Sequence, residues 1–421
     1  METNWAGNHT YRAAGLCEPA SVDELREVVA RENRVRALGS RHSFTDIGDT
    51  AGLLVSLAGL PADVEIDPDR RQVTVGGGAR YGEVAEALHA KGWALANLAS
   101  LPHISVAGAV ATGTHGSGDR NGSLATAVAA VEIVGPDGAV RRLTRADPDF
   151  DGSVVALGAL GIVARLTLDI EPAYDVRQTV YTGLSWDAVL ADLDAVTAGA
   201  YSVSLFTDWV GDRVDQVWHK SRAGEPPADF FGATRADATR HMLAGADVAA
   251  VTGQHGVPGP WHERLPHFRM AFTPSRGEEL QSEYLVPRRH AATAITELRR
   301  LGPRLAPVLQ VGEIRTVAAD RLWLSGAYGT DVVALHFTWV RDTPAVYGVL
   351  PAIEDALLPL GARPHWGKCF VASGAQLRAV YPRLDDFTRL RDRVDPTGKF
   401  GNAFLDRVLA PAAASRHGVR S

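Results

Sequence analysis

The chain has 421 residues, 46% hydrophobic and 22% charged, with a formal net charge of −6. That balance allows two or three domains with a large buried core; the lack of any long lysine or arginine run argues against nucleic acid or an acidic membrane surface as the main partner. No window approaches the roughly 18 consecutive apolar residues of a membrane span, Met1–Thr10 lacks the apolar stretch of a signal peptide, and the two cysteines, Cys17 and Cys369, set no disulfide framework, so a cytoplasmic protein with reduced thiols is expected.

Residues 21–32 open as a capped helix, with Ser21 as N-cap and Glu24 three positions on, as in a capping box. Short strands follow at Val35–Leu38, Leu53–Leu57 and Val73–Val75, then an amphipathic helix from Tyr81 to Lys91 stopped by Gly92. Asn97 to Ser123 is dense in small residues, which let a backbone approach a neighbour or a ligand closely. Val128–Val134, Pro136-Asp137-Gly138 and Ala139–Leu143 read as a hairpin, and Gly158–Ile170 starts glycine-rich and ends as an alternating strand. Composition shifts at Glu171-Pro172, where a domain boundary is expected. Beyond it lie most of the tryptophans, alternating strands, and a long excursion over 222–262 rich in Gly, Pro and Ala. The last part carries a helix around Gln376–Val380 and a turn at Asp395-Pro396-Thr397-Gly398. No internal repeat is evident.

Three glycine-rich segments stand out. Gly39-Ser40-Arg41-His42-Ser43-Phe44 follows a strand directly, where a turn can offer several backbone N–H groups to a phosphate. In the 97–118 run, Gly108, Gly113, Gly116 and Gly118 alternate with hydroxyl residues and can wrap a pyrophosphate or a flat ring. Gly158-Ala-Leu-Gly161-Ile162-Val163 is the third, and is weak alone.

In this order, and closed by Asp395-Pro-Thr-Gly-Lys-Phe-Gly-Asn402, these segments resemble the vanillyl-alcohol-oxidase-like flavoproteins with histidyl-linked FAD, the branch that holds the aldonolactone oxidases and the bacterial alditol oxidases. The likeness to the alditol oxidases runs through Thr3-Asn-Trp-Ala-Gly-Asn, Ala99-Ser-Leu-Pro-His-Ile-Ser-Val-Ala-Gly, Tyr201-Ser-Val-Ser-Leu-Phe-Thr-Asp-Trp, Phe268 with its neighbours, Glu313-Ile-Arg-Thr-Val-Ala-Ala-Asp and Pro364-His-Trp-Gly-Lys. The resemblance implies an α+β architecture. An FAD-binding domain of the PCMH type over 1–175 is completed by a C-terminal segment, 366–421, and a substrate (cap) domain on an antiparallel sheet, 176–365, is inserted between them. It implies covalent FAD on His42, with Gly39, Ser40, Arg41, Ser43, Ser100, Ser105, Gly108, Gly113, Thr114, His115, Gly116, Ser117, Gly161, Ile162, Val163 and Asn402 around the cofactor. Arg41 departs from the pattern, because a glycine is usual there. If the backbone has φ > 0 an arginine is strained; alternatively Arg41 contacts the pyrophosphate.

Two strand candidates carry polar groups on one face. Period-2 alternation puts Glu313 with Arg315 in Val311–Val317, and His336 with Thr338 in Ala334–Val340, opposite Leu335, Phe337 and Trp339. Such a face is costly to bury unless it lines a polar pocket; the plain alternative is a Glu313–Arg315 salt bridge on a solvated face. By the resemblance these positions, with Lys368 and Ser100, form the substrate site. Its implied activity is oxidation of the terminal C1 hydroxyl of xylitol- or sorbitol-like polyols, with O2 reduced to hydrogen peroxide. Arg315 and Lys368 would hold the reacting oxygen, His336 or Lys368 would take its proton, and Glu313, Thr338 and Ser100 would grip other hydroxyls. The chain is expected to work as a monomer. The competing activity inside the family is that of an aldonolactone oxidase, or of a dehydrogenase with another electron acceptor. Gly76-Gly-Gly-Ala-Arg-Tyr-Gly resembles a dinucleotide fingerprint, but the spacing fails and no acidic residue ends the next strand. His255, His262 and His267 miss the spacing of a zinc protease helix, and Pro266 interrupts it, so no metal is expected. A non-catalytic carbohydrate-binding module would need no flavin.

Overall fold

A computed structural model describes residues 2–222, 224–272 and 278–410. Among these residues the strands form a three-stranded, a five-stranded and a ten-stranded sheet, plus a two-stranded ribbon. The first helix, Val22–Arg31, starts as its sequence dictates: Ser21 Oγ accepts from Glu24 N at 3.1 Å and Glu24 returns a carboxylate oxygen to Ala20 N at 2.7 Å. Leu25, Val28 and Val29 then face the core at helical spacing.

The small sheet is parallel, with Gly15–Cys17 and Val35–Leu38 flanking Leu53–Ser56. Parallel neighbours need a crossover, so residues 39–52 leave the carboxyl end of the Val35–Leu38 strand and travel back. The Gly39–Phe44 loop sits at that exit, where open sheets containing parallel strands commonly receive ligands. The five-stranded sheet is antiparallel, and the hairpin Val128–Val134/Val140–Thr144 forms its edge. Buried Arg36 joins distant pieces by donating to the carbonyls of Ile47, Leu157, Gly158 and Phe400. The C-terminal residues thereby return to the first sheet.

The ten-stranded antiparallel sheet begins at Asp175–Thr182 and includes Ser202–Thr207, Gln216–Ser221, Glu279–Pro287, Leu309–Val317 and Val332–Val340. One face carries Leu205, Tyr284, Ile314, Leu335, Phe337 and Trp339 in a core shared with helices Ala291–Leu305 and Thr343–Leu357. Those helices contribute Ala291, Ala294, Ile295 and Leu298, and Val346, Leu350, Ile353 and Leu357, at the i, i+3, i+4, i+7 spacing of an apolar stripe. With one face covered by helices, the other is free to be polar. The 222–262 excursion contains three short strands of the same sheet, at Asp229–Phe230, Ala233–Arg235 and Pro258–Pro260.

Candidate active site

The register of the large sheet sets the site. Glu283, His336 and Glu313 stand opposite one another on three adjacent strands. Gln281 and Thr338 form the next rung on the same face, and Arg315 lies two residues beyond Glu313. Cross-strand neighbours share a face, so one apolar-out, polar-in pattern gathers all of them. They border a cavity of about 400 Å³ whose other wall is built by the loops that hold Gly39–Phe44, Ser100–Leu101, Ser105, Gly158 and Gly161.

The polar wall is a buried charge cluster, not a solvated salt bridge: Glu313 and Arg315 are 4% and 5% exposed. Glu283 is its hub. One carboxylate oxygen meets Arg315 Nη2 at 2.5 Å and the other meets Lys368 Nζ at 2.7 Å, with His115 Nε2 3.4 Å away. Burial pushes the Glu283 carboxyl up, but Arg315, Lys368 and His115 together outweigh it and hold the group well below the carboxylate range. Glu313 behaves likewise: burial opposes ionisation, and Arg315, His267 and His336 overcome it. Burial lowers Lys368 while Glu283 pulls the other way. Lys368 Nζ also lies 2.7 Å from His336 Nδ1, and His336 Nε2 lies 3.1 Å from Thr338 Oγ1. Burial, with Lys368 adding to it, holds His336 far below its ordinary value, so the ring is neutral. A lysine has three donors; two are engaged here, which leaves one for a substrate oxygen. Arg315 Nη1 reaches Ser100 Oγ at 3.4 Å.

On the opposite wall, His42 stacks on Trp5 with ring centroids 5.3 Å apart, and its Nδ1 is buried with no hydrogen-bond partner. Burial lowers its pKa to about 4, so the ring is neutral near pH 7 and carries an uncommitted nitrogen. Ser105 N donates to Ser40 Oγ at 3.0 Å and ties the His42 loop to the small-residue run. Gly39 and Gly108 both pack on Ser105, whose Oγ a Cβ would meet at 2.7 and 2.8 Å. A neutral imidazole lining a cavity walled by glycine, serine and threonine fits a flat, phosphate-bearing cofactor such as FAD.

Of the residues expected from the sequence, Gly39, Ser40, Arg41, His42, Ser43, Ser100, Ser105, Gly108, Thr114, His115, Gly161, Val163, Glu313, Arg315, His336, Thr338 and Lys368 border the cavity. Gly113, Gly116, Ser117, Ile162 and Asn402 do not. Gly113 makes a turn at φ 69°, a Cβ on Gly116 would lie 2.4 Å from Leu98 O, and Ser117 Oγ donates to Val203 O at 2.5 Å. Ile162 is in a hydrophobic core, and the Asn402 amide holds the carbonyls of Asp46, Ile47 and Asp49. Arg41 does adopt φ 64°, a region that costs an L-residue about 1–2 kcal/mol. Its guanidinium pairs with Glu2 at 2.6 Å, so the protein itself supplies an anionic partner for it.

Glu283 and His267 are site residues that the sequence reading left out. Glu279-Leu-Gln-Ser-Glu283-Tyr-Leu-Val alternates as cleanly as the strands that were read, and this was the available signal. His267 donates to Glu313 at 2.8 Å, while His262 lies tilted against His89 and His255 meets Thr239, so the three histidines do not converge. Gly77 and Gly78, in the segment that resembled a dinucleotide fingerprint, pack on neighbouring backbone: a Cβ would lie 2.1 Å from Val163 O and 2.2 Å from Leu57 O.

A family profile described as an FAD binding domain matches residues 13–144, and one described as D-arabinono-1,4-lactone oxidase matches 271–408. An alditol oxidase from Streptomyces sp. (strain IKD472 / FERM P-14339) is 52% identical over 97% of this chain and 98% of its own length. The chain belongs to the alditol oxidase family. More distant members of the wider group include an L-gulono-1,4-lactone dehydrogenase of Mycobacterium tuberculosis, 30% identical over 97% of this chain and 99% of its own length. A crystal structure of cholesterol oxidase from B. sterolicum shares the fold, with a TM-score of 0.78 at 17% identity, covering 97% of this chain and 96% of that one. The α+β architecture with an FAD-binding part and an antiparallel sheet therefore holds for this member of the family. Among the described residues no helix is long and apolar enough to cross a membrane.

Proposed function

We propose that this member of the alditol oxidase family oxidises the terminal C1 hydroxyl of linear polyols such as xylitol or sorbitol, with O2 as electron acceptor. One observation carries this reading: six side chains, Ser100, Glu313, Arg315, His336, Thr338 and Lys368, line a single cavity that His42 also lines. A flexible polyol loses rotamer freedom on binding, and only several directed hydrogen bonds offset that loss. The wall offers acceptors at Glu313 and donors at Arg315, Lys368 and Ser100, as alternating hydroxyls require. FAD, held at the wall around His42, would supply the acceptor for the hydride lost from C1 and the route by which its electrons reach O2 as hydrogen peroxide.

The chain's own residues do the rest. Arg315 and the free N–H of Lys368 hold the C1 oxygen and stabilise the negative charge that develops on it. His336 is held neutral with both nitrogens engaged, so the hydroxyl proton passes to Lys368 Nζ in its amine form, which burial favours, and Lys368 then holds the C1 oxygen as an ammonium. Glu283 holds Lys368 and Arg315 together. His42 is the attachment point for covalent FAD: its ring is neutral and Nδ1 is uncommitted. An aerobic peroxide assay over alditols, aldonolactones, cyclic sugars and simple alcohols tests the assignment. Five- and six-carbon alditols should give the highest kcat/KM. A lactone or a simple alcohol that surpasses every alditol overturns the substrate reading.

A further inference from the structure

Behind Glu313 lies a second buried row, which reaches the cavity through His267 and ends at Lys220. Lys220 sits in the middle of the large sheet, on strand Gln216–Ser221 between Gln178 and Ser202 of its neighbours, and is 1% exposed. Its Nζ lies 2.5 Å from Leu265 O, 3.3 Å from Pro266 O and 3.2 Å from His267 Nδ1. His267 Nε2 in turn lies 2.8 Å from Glu313 Oε1. The rings of Phe206 and Trp218 flank His267 at 5.5 and 5.0 Å.

The direction of this row follows from donor counting. An ammonium has three N–H groups and no lone pair, and three acceptors surround this one. While Lys220 is protonated, His267 Nδ1 must accept, so Nε2 carries the ring proton and donates to Glu313, which as a carboxylate can only accept. Burial lowers the imidazole to about 4, with Lys220 adding to the effect, so the ring stays neutral and one tautomer is selected. Burial also lowers Lys220 to about 7, with Glu313 opposing and Arg315 adding to the shift. A buried cation is a poor choice for stability alone, since a well-packed apolar side chain often does as well. The same segment fixes Ser100, whose carbonyl accepts from the N–H groups of His267 and Phe268 at 3.0 and 3.2 Å.

We propose that Lys220 is a positioning residue that sets the tautomer of His267 and through it pins one oxygen of Glu313, so that the other oxygen is aimed at a polyol hydroxyl remote from the reacting carbon. This rests on the polyol reading for its substrate arm only. The charged and titratable groups facing the row are Glu313, Arg315, 3.6 Å from Glu313, and His336, opposite Glu313 across the ladder.

The test uses the holoenzyme and Lys220→Met, which keeps the volume and removes the donor. KM for xylitol should rise about tenfold, the scale of one hydrogen bond to a charged group, with kcat nearly unchanged. A two-carbon diol, too short to reach Glu313, should show no change. His267→Ala, which removes the donor to Glu313, should raise the xylitol KM, and Lys220→Met added to it should cost little more. Ring ¹⁵N NMR at pH 6, with His267 assigned by its loss in His267→Ala, should show the Nε2–H tautomer in the parent and a mixture in Lys220→Met. The opposite tautomer in the parent, or an unchanged tautomer in Lys220→Met, overturns the proposal. So does an equal loss on xylitol and the short diol. If Lys220→Met does not fold, the parent tautomer and the xylitol-against-diol split of His267→Ala still decide. If no polyol is oxidised, the polyol reading fails and the tautomer result stands by itself.

Discussion

Replacing Glu283 with Gln should destabilise the fold and disable the site together. Its carboxylate is 1% exposed and lies within 2.7 Å of both Arg315 and Lys368, while Glu313 is 3.6 Å from Arg315 and Glu279 interacts with Lys368 without a direct ion pair. Glutamine keeps the shape and removes the charge, so two buried cations lose the one carboxylate that contacts both. Breaking a buried ion pair from one side costs about 3–5 kcal/mol. For a chain of 421 residues the unfolding entropy is roughly 0.9 kcal/mol/K, so Tm should fall by about 3–6 °C. The folded pKa of Glu283 lies below its unfolded value of 4.5, so its contribution is complete above that pH and is lost as pH falls toward the folded value. The Tm gap between parent and Glu283→Gln should therefore be full at pH 7 and narrow below pH 4.5. Adding Lys368→Met removes one stranded cation, and the double variant should be more stable than Glu283→Gln alone. Scanning calorimetry measures the parent, Glu283→Gln, Lys368→Met and the double variant. A Glu283→Gln Tm equal to the parent's, or a double variant that simply adds two losses, would refute the coupled cluster.

Three further outcomes are expected. His42→Ala should still bind FAD but release all of it into the supernatant on acid precipitation, whereas the parent pellet stays yellow. Lys368→Ala and Arg315→Ala should each lower the rate of anaerobic flavin reduction by about 10²–10³, and the double variant should lose less than the product because both address one oxygen; a change in KM alone would contradict this. Glu313→Gln should harm five- and six-carbon alditols more than a short diol, read as the ratio of their kcat/KM values.

Much of this was legible in the sequence because it depends on local rules. Ser21 and Glu24 announce a helix start, and alternation in Val311–Val317 and Ala334–Val340 puts Glu313, Arg315, His336 and Thr338 on one face before any fold is known. What stayed hidden depends on partners distant in the chain. Glu283 gains its meaning only from Arg315 and Lys368, 32 and 85 residues away. His267 looks like a stray histidine until the sheet brings Glu313 and Lys220 to either side. The Asn402 amide holds three carbonyls of the 46–49 turn, a role that no local pattern predicts. Arg41 was correctly suspected of positive φ, while its pairing with Glu2 comes from the return of the N-terminal residues across the loop.

The central claim is that this wall presents the terminal carbon of a linear polyol for oxidation. Anaerobic flavin bleaching by sorbitol, compared with sorbitol deuterated at C1 and at C2, tests it most directly. The account predicts complete bleaching that slows severalfold with deuterium at C1 and is unaffected by deuterium at C2. Bleaching that slows only with C2 deuterium, or no bleaching by sorbitol or xylitol while an aldonolactone reduces the flavin readily, would contradict it.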